Sequence, residues 1–352
     1  MRIAVLFMPT LSNDPILMDQ HRPNKWIGRY PSCSPPGQFD ATIHIRFVSA
    51  HGKGAKVSVS SEGGSFATML WKDIYTQFKL QLQTIYPEAE AASIARLLIE
   101  SWGKQPLRQL TDEAAPADVV EQLPEYLHQL LLRKPVQYLL KEAWFYKYSF
   151  FVSPAVLIPR PETEELVEWI IQENKLNAEM KNISILDIGT GSGCIAITMK
   201  KELSKANVTA IDVSADALIV ARENAQRLNT TIQFEQIDFL NEKEWSKLGQ
   251  FDIIVSNPPY IADQEESFIA VHVKEYEPHL ALFVPDTDPL LFYKAIANFA
   301  TTHLNENGSV SVEINQLLGK ETKAVFEQAG FSNVQLKKDI SGNERMIRAS
   351  WQ

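Results

Sequence analysis

The 352-residue sequence predicts an α/β protein, a mainly parallel doubly wound sheet preceded by a small all-helical amino-terminal domain. Two textures carry this expectation. After residue 182, short apolar runs alternate with segments of helical period, and such units build a parallel sheet with helices on both faces. Between residues 70 and 135, apolar residues recur three or four apart with no strand between them, the mark of helix packed on helix. With 45% apolar and 22% charged residues, the composition excludes wholesale disorder.

Residues 1–68 offer one alternating run, Ile43-His44-Ile45-Arg46-Phe47-Val48, beside the breaker Pro35-Pro36-Gly37 and a Ser/Gly-rich stretch at 58–65. A strand or two without a covering helix cannot hold a sheet. The segment is therefore expected to be a poorly ordered extension, with its nativeness open and Met69 a candidate natural start. A helical substrate-recognition domain is expected at 69–140. Its stripes are Leu70, Ile74 and Phe78, then Ile94, Leu97 and Leu98, then Leu123, Leu127, Leu130 and Leu131, with Pro87, Pro106, Pro116 and Pro124 marking breaks or first turns. Residues 141–180 read as hairpin and linker. The aromatic run from Trp144 to Phe151 makes the hairpin, and a helix follows from Thr163 or a neighbour, with Leu166, Ile170 and Ile171 on its apolar face.

The last domain, 181–352, has expected strands at 183–188, 208–212, 232–237, 251–256 and 310–314. Helices are expected at 193–204, 215–228, 290–303 and 317–329. Ser214 and Asp288 are candidate N-caps and Gly330 a helix stop. Residues 331–336 and 346–351, around Ser341-Gly342-Asn343, suggest a closing antiparallel pair.

Charge and cysteine content narrow the function classes. The net charge is −9, and it is uneven: residues 1–68 hold seven Lys/Arg and four Asp/Glu, a net of +3, which leaves −12 on the rest. An acidic body is a poor phosphate track, so neither nucleic acid nor membrane is expected as a direct partner. Two cysteines, Cys33 and Cys194, build no disulfide framework, and neither sits at metal-ligand spacing. No apolar run reaches the roughly 18 residues of a membrane span. The opening run at 3–8 is shorter than a signal core. A cytoplasmic protein is expected.

Chemistry concentrates at the strand ends. The first strand of the last domain runs into Asp187-Ile188-Gly189-Thr190-Gly191-Ser192-Gly193 before a helix opens. Glycines at 189, 191 and 193 admit a ligand where a Cβ would collide. Cys194 breaks the dinucleotide pattern. Asp212, at the end of the second strand, is placed to accept from a ribose diol. Asp187 would repel a diphosphate but would welcome the ammonium of S-adenosylmethionine, so that cofactor is expected over Asp187, Gly189, Thr190, Gly191, Ser192, Gly193 and Asp212. The bland reading is a glycine turn joining strand to helix. At the third strand end, Asp238 could accept from the adenine amino group and Phe239 could cover its face, although a Phe after a strand is more often core.

Asn257-Pro258-Pro259-Tyr260, directly after the fourth strand, is the most specific signal. Two prolines remove two N–H donors and leave free carbonyl acceptors. Asn257 and Pro258 could then hold both hydrogens of one planar NH2 group while Pro259 and Tyr260 complete the substrate site and Asn257 also borders the cofactor. Holding both hydrogens draws a delocalised nitrogen toward tetrahedral geometry and aims its lone pair at a sulfonium methyl. No metal is needed. A proline-stiffened turn is the bland alternative.

The loop 187–193, Asp212, Asn257-Pro258-Pro259-Tyr260, the segment Ile158-Pro159-Arg160-Pro161-Glu162-Thr163-Glu164, Glu277-Pro278 with Ala281-Leu282, and Gly342-Asn343-Glu344-Arg345 together resemble the peptide chain release factor N5-glutamine methyltransferases. The resemblance spans roughly residues 69–352. It implies a Rossmann-like methyltransferase sheet, S-adenosyl-L-methionine as cofactor, and methyl transfer to the glutamine of the Gly-Gly-Gln motif in release factors. Asn-Pro-Pro-Tyr is shared with adenine-N6 methyltransferases acting on nucleic acid, which is the alternative. Arg160 and Glu162 are candidates for ordering a lid or for a surface ion pair, and His272 and His279 read as solvated loop histidines.

Overall fold

The computed structural model describes residues 47–48, 56–57, 69–180 and 182–351. The expectation for residues 1–68 therefore lies outside the described residues, apart from two short antiparallel strands, β1 (Phe47–Val48) and β2 (Lys56–Val57). The chain divides into two compact units, with the boundary after Leu127.

In the first unit, α1 (Trp71–Leu82) buries Trp71, Ile74, Phe78 and Leu82, spaced three and four apart on one face. α2 (Glu88–Gly103) follows Pro87 and buries Ala91, Ile94, Ala95, Leu98 and Ile99. α3 (Leu107–Leu110) follows Pro106. Trp102 ties the packing, its ring edge-on to Phe78 at 6.5 Å and to Tyr126 at 4.8 Å. α4 (Ala117–Leu131) crosses the unit boundary and contains Pro124 in its interior, so that proline is no break. Helix interiors tolerate such a residue where burial of the amphipathic face outweighs the lost bond.

The second unit continues with α5 (Val136–Leu140) and the hairpin β3 (Ala143–Phe145) and β4 (Tyr148–Phe150), which turns through Tyr146 at φ +59°. α6 (Pro161–Met180) starts at Pro161, earlier than Thr163, because proline's fixed φ and missing N–H suit the first helical position. The strands that follow are β5 (Ser184–Ile188), β6 (Asn207–Asp212), β7 (Gln233–Gln236), β8 (Phe251–Ser256), β9 (Ile261–Ala262), β10 (Phe283–Val284), β11 (Leu304–Glu313), β12 (Asn333–Lys338) and β13 (Glu344–Ser350). Between them lie α7 (Cys194–Glu202), α8 (Ala215–Arg227), α9 (Val271–Tyr276), α10 (Leu291–His303) and α11 (Gly319–Gln328).

Seven of these strands form one Rossmann-like sheet in the order β12-β13-β11-β8-β5-β6-β7. It is parallel from β11 through β7, and β13 runs antiparallel to both β11 and β12. Both faces are covered. Ile185, Ile253 and Val255 face a core with α6, α7 and α8, while Leu186, Ile188 and Ile254 face another with α10 and α11. Period-two alternation of apolar residues on both faces explains the near-continuous apolar runs. β9 and β10 pair in parallel outside the sheet and close the excursion that leaves β8.

Ser214 caps α8 as expected, its Oγ accepting from the Ala217 N–H at 3.2 Å. Gly330, at φ +100°, ends α11. Asp288 is not the cap of α10. Leu290 takes that position, and Asp288 pairs its carboxylate with Lys294 at 2.7 Å. β11 begins at Leu304 rather than 310, because the polar stretch 305–308 is absorbed by a register shift against β8 between Leu304 and Ser309.

Candidate active site

The strand order reverses between β5, whose successors β6 and β7 lie to one side, and β8 on the other. Open α/β sheets bind ligands at such a switch, beyond the carboxyl ends of the strands. The expected site residues lie there. Ser256 Oγ, at the end of β8, donates to the Ile188 carbonyl at the end of β5 at 2.8 Å, joining the two strand ends.

Gly189, Gly191 and Gly193 have φ of +72°, +54° and +80°, a region that glycine enters without steric cost. Their surroundings differ. A Cβ on Gly193 would lie 3.0 Å from Ile197 Cδ1 and 3.2 Å from Ala221 Cβ, so its absence lets α7 approach α8. Around the corresponding positions of Gly189 and Gly191 nothing lies within 4 Å. That leaves the backbone there open to a ligand.

Asp187 is fully buried. Its Oδ2 accepts from Thr190 Oγ1 at 2.7 Å and from the Ala196 N–H at 3.2 Å, while Oδ1 has no hydrogen-bond partner among the described residues. Burial pushes its carboxyl up to about 7, against the pull of those two bonds. A buried acceptor left bare beside open glycine backbone fits the ammonium end of S-adenosylmethionine. Asp212 is bound by the loop itself: Oδ2 accepts from the Gly191 N–H and Oδ1 from the Ser214 N–H, each at 2.9 Å. Burial raises its carboxyl pKa, opposed by these amides. Ser192 is buried and presents its carbonyl to Asn224 Nδ2 at 2.9 Å.

Asp238 is exposed and accepts from the Leu240 N–H at 3.1 Å, leaving carboxylate capacity for a ligand. Phe239 departs from expectation. Its ring is buried against Trp245 and Phe299, with centroids 5.6 and 5.3 Å away, and so belongs to the core rather than to an adenine face.

Beyond β8, Asn257 Nδ2 donates to Thr163 Oγ1 at 3.0 Å. Thr163 donates in turn to Glu313 Oε2 at 2.5 Å, and the Tyr260 hydroxyl donates to Glu313 Oε1 at 3.1 Å. Pro258 is buried and Pro259 half-buried. The Tyr260 carbonyl accepts from Asn315 Nδ2 at 3.2 Å, which holds the tetrapeptide's far end.

Against this geometry, a methyltransferase small domain model matches residues 170–275. The release factor glutamine methyltransferase of Flavobacterium psychrophilum is 46% identical over 288 residues, covering 80% of this chain and 100% of that one. The enzyme of the same name from Bacteroides thetaiotaomicron is 37% identical over 284 residues, covering 79% and 99%. The chain belongs to the release factor glutamine methyltransferase family.

In this family member, the segment before the glycine loop is clamped from two sides. Glu277, buried, accepts from Arg160 Nη2 at 2.5 Å and from the Ile158 N–H at 3.1 Å. Arg160 is therefore no surface ion pair; it ties residues 158–160 to the excursion that follows Tyr260. For Glu162, half-buried in the first turn of α6, no bond is described. His272 is half-buried rather than solvated, and burial, with Arg160 and Arg133 nearby, pushes its imidazole down to about 4. His279 is exposed, with Nε2 3.0 Å from the Lys274 carbonyl and its ring tilted over Phe283 at 5.1 Å.

Sequence reasoning on this family member missed Asn224 and Glu313, and read Thr163 as a helix start and as part of the 158–164 resemblance segment, without a role at the site. Asn224 is fully buried within α8, accepting from the Phe151 N–H at 2.7 Å and donating to the Phe151 carbonyl at 2.9 Å as well as to Ser192. It thereby joins the hairpin exit to the glycine loop. The available signal was an amide on the apolar stripe of Ala217, Val220, Ala221 and Ala225. For Glu313 it was an acid inside the expected strand Val310-Ser311-Val312-Glu313-Ile314.

Proposed function

We propose that this chain transfers a methyl group from S-adenosyl-L-methionine to the side-chain amide nitrogen of the glutamine in the Gly-Gly-Gln motif of peptide chain release factors. The observation that carries this reading is Asn257 at the end of β8, its Nδ2 occupied by Thr163 and its Oδ1 left to accept, on a strand stitched to the glycine-loop strand through Ser256. Such a site suits a planar NH2 group held next to a cofactor on the β5 loop.

An amide nitrogen is a poor nucleophile because its lone pair is delocalised into the carbonyl. In this reading, Asn257 Oδ1 and the Pro258 carbonyl accept its two N–H bonds and favour the pyramidal nitrogen whose lone pair is free, so the effect grows toward the transition state. Pro258 and Pro259 help by offering no N–H that could compete. Pro259 and Tyr260 border the bound side chain, and the Glu313 bond fixes the Tyr260 ring. When bound, the cofactor would supply an electrophilic methyl on a sulfonium: the amide nitrogen gains the methyl as the sulfur–methyl bond breaks, the neutral thioether is the leaving group, and the nitrogen gives up one proton to solvent. Asp187 would hold its ammonium, Asp212 its ribose hydroxyls, Asp238 its adenine amino group, and the backbone of Gly189, Thr190, Gly191, Ser192 and Gly193 would lie along it. The helical domain at 69–140 is assigned to recognition of the release factor, and the activity belongs in the cytoplasm. No helix among the described residues is long and apolar enough to cross a membrane.

The test is transfer of isotopic methyl to a purified release factor. Asn257→Ala should lose most of the transfer rate, about 100-fold or more, as removal of a preorganised transition-state contact does, while cofactor affinity stays near that of the parent protein. Near-normal turnover would remove Asn257 from the mechanism.

A further inference from the structure

We infer that Thr163 and Glu313 are positioning residues which decide which end of the Asn257 amide faces the substrate; this rests on the glutamine-methylation reading above. An asparagine side chain presents either its oxygen or its NH2 group on turning about its last bond, and the two have opposite hydrogen-bonding sense. Only the oxygen can accept from a substrate amide. Something must hold that choice, because the wrong face would set NH2 against NH2.

The structure supplies a chain of bonds with one permitted direction. Glu313, at the end of β11, is buried; burial raises its carboxyl pKa against the pull of the Thr163 bond, the Arg345 charge and the Tyr260 bond, and in its ionised form it only accepts. Both its oxygens receive donors, Thr163 on Oε2 and Tyr260 on Oε1. The single proton of the Thr163 hydroxyl is thereby spent. Its oxygen can then only accept, and the neighbour it accepts from is Asn257, whose NH2 group lies 3.0 Å away. The amide oxygen is left facing the substrate side. Thr163 is almost completely buried in the first turn of α6, so water does not readily substitute for it. Neither Thr163 nor Glu313 needs to touch the substrate.

The experiment is a double-mutant cycle on the full chain, reading methyl transfer to a release factor, cofactor dissociation constant and thermal midpoint. Thr163→Val keeps the shape and removes the hydroxyl. It should lower kcat by about 10–100-fold, the scale of a misaligned reacting group, with the cofactor constant within about twofold of the parent, a change near the noise of such couplings. Thr163→Ser should restore most of the rate. Adding Thr163→Val to Asn257→Ala should cost nothing further, since the group through which Thr163 acts is gone. A merely structural threonine would lower the rate by the same factor in both backgrounds, and that result overturns the inference, as does undiminished kcat in Thr163→Val. Should Thr163→Val unfold, Thr163→Ala, which also removes the hydroxyl and leaves the Tyr260–Glu313 bond in place, goes through the same cycle with the same two readings. If the parent protein binds cofactor but labels no release factor, the functional reading falls and this inference with it; labelling by the parent with an indifferent Thr163 strikes the inference alone.

Discussion

Asp187 carries a carboxylate into the interior with one oxygen bonded twice and the other without a hydrogen-bond partner among the described residues, and burial pushes it up to about 7. A raised folded-state pKa means that the folded protein holds a proton the unfolded chain has lost. Its contribution to stability is complete at acidic pH and declines as pH rises from the ordinary carboxyl range, about 4, toward 7. Cofactor binding runs the opposite way, because an ammonium favours the ionised form. We expect cofactor affinity to climb by about tenfold per pH unit below 7 and then level off, and Asp187→Asn to flatten the profile. Calorimetric titration from pH 5.5 to 8.5 checks this, and a flat profile in the parent protein would dissociate Asp187 from the cofactor. Asp212 makes a second case. Asp212→Ala should weaken cofactor binding by about 1–3 kcal/mol, the scale of bonds to a charged acceptor. Part of that loss belongs to the loop, whose Gly191 N–H the carboxylate also holds. An unchanged dissociation constant would mean that the ribose is held elsewhere.

Elements meet through single buried side chains as much as through apolar faces. Asn224 on α8 satisfies three backbone groups, the N–H and carbonyl of Phe151 and the carbonyl of Ser192, so the hairpin and the glycine loop share one anchor. Asn224→Ala should destabilise the protein by about 1–3 kcal/mol, the cost of leaving buried polar groups unpaired. It should also weaken cofactor binding, because Ser192 is in the loop. Denaturant unfolding and cofactor titration read the two effects; loss of stability with full cofactor affinity would confine Asn224 to a structural role. Arg160 works similarly between the start of α6 and the segment after β9, with Glu277 as its fully buried partner.

At the scale of the whole chain, the question is how much of it the activity needs. The described helical unit is fastened at its first residues: the Met69 carbonyl accepts from the Ala115 N–H at 2.8 Å, and Leu70 bridges Ala114. A protein beginning at Met69 should therefore keep the thermal midpoint and methylation rate of the full chain. One beginning at Trp71, lacking that bridge, should melt lower by a few degrees, as about 1 kcal/mol does in domains of this size. Scanning calorimetry and the methyl-transfer assay decide, and a substantial fall in either quantity on starting at Met69 would show that residues 1–68 contribute.

Periodicity and local chemistry made the architecture legible. β8 falls on its expected residues, and Ser214 and Gly330 cap and stop their helices, because each depends on neighbours in sequence. The glycine loop and Asn257-Pro258-Pro259-Tyr260 were legible for the same reason, as their residue types answer to backbone geometry and hydrogen-bonding sense within a few positions. Asp288 misled because its carboxylate takes the nearby Lys294 rather than the helix's first N–H groups, and Pro124 because the burial of a helix face is decided by what packs on it. Phe239 took the core for the same reason, since Trp245 and Phe299 reach it only after folding. The links from Asn257 to Thr163 and Glu313, and from Arg160 to Glu277, span 94 and 117 positions for the bonds Asn257 and Arg160 make directly. No propensity or spacing rule reaches so far, and only the packing of α6 and β11 around the end of β8 decides which buried donor meets which acceptor.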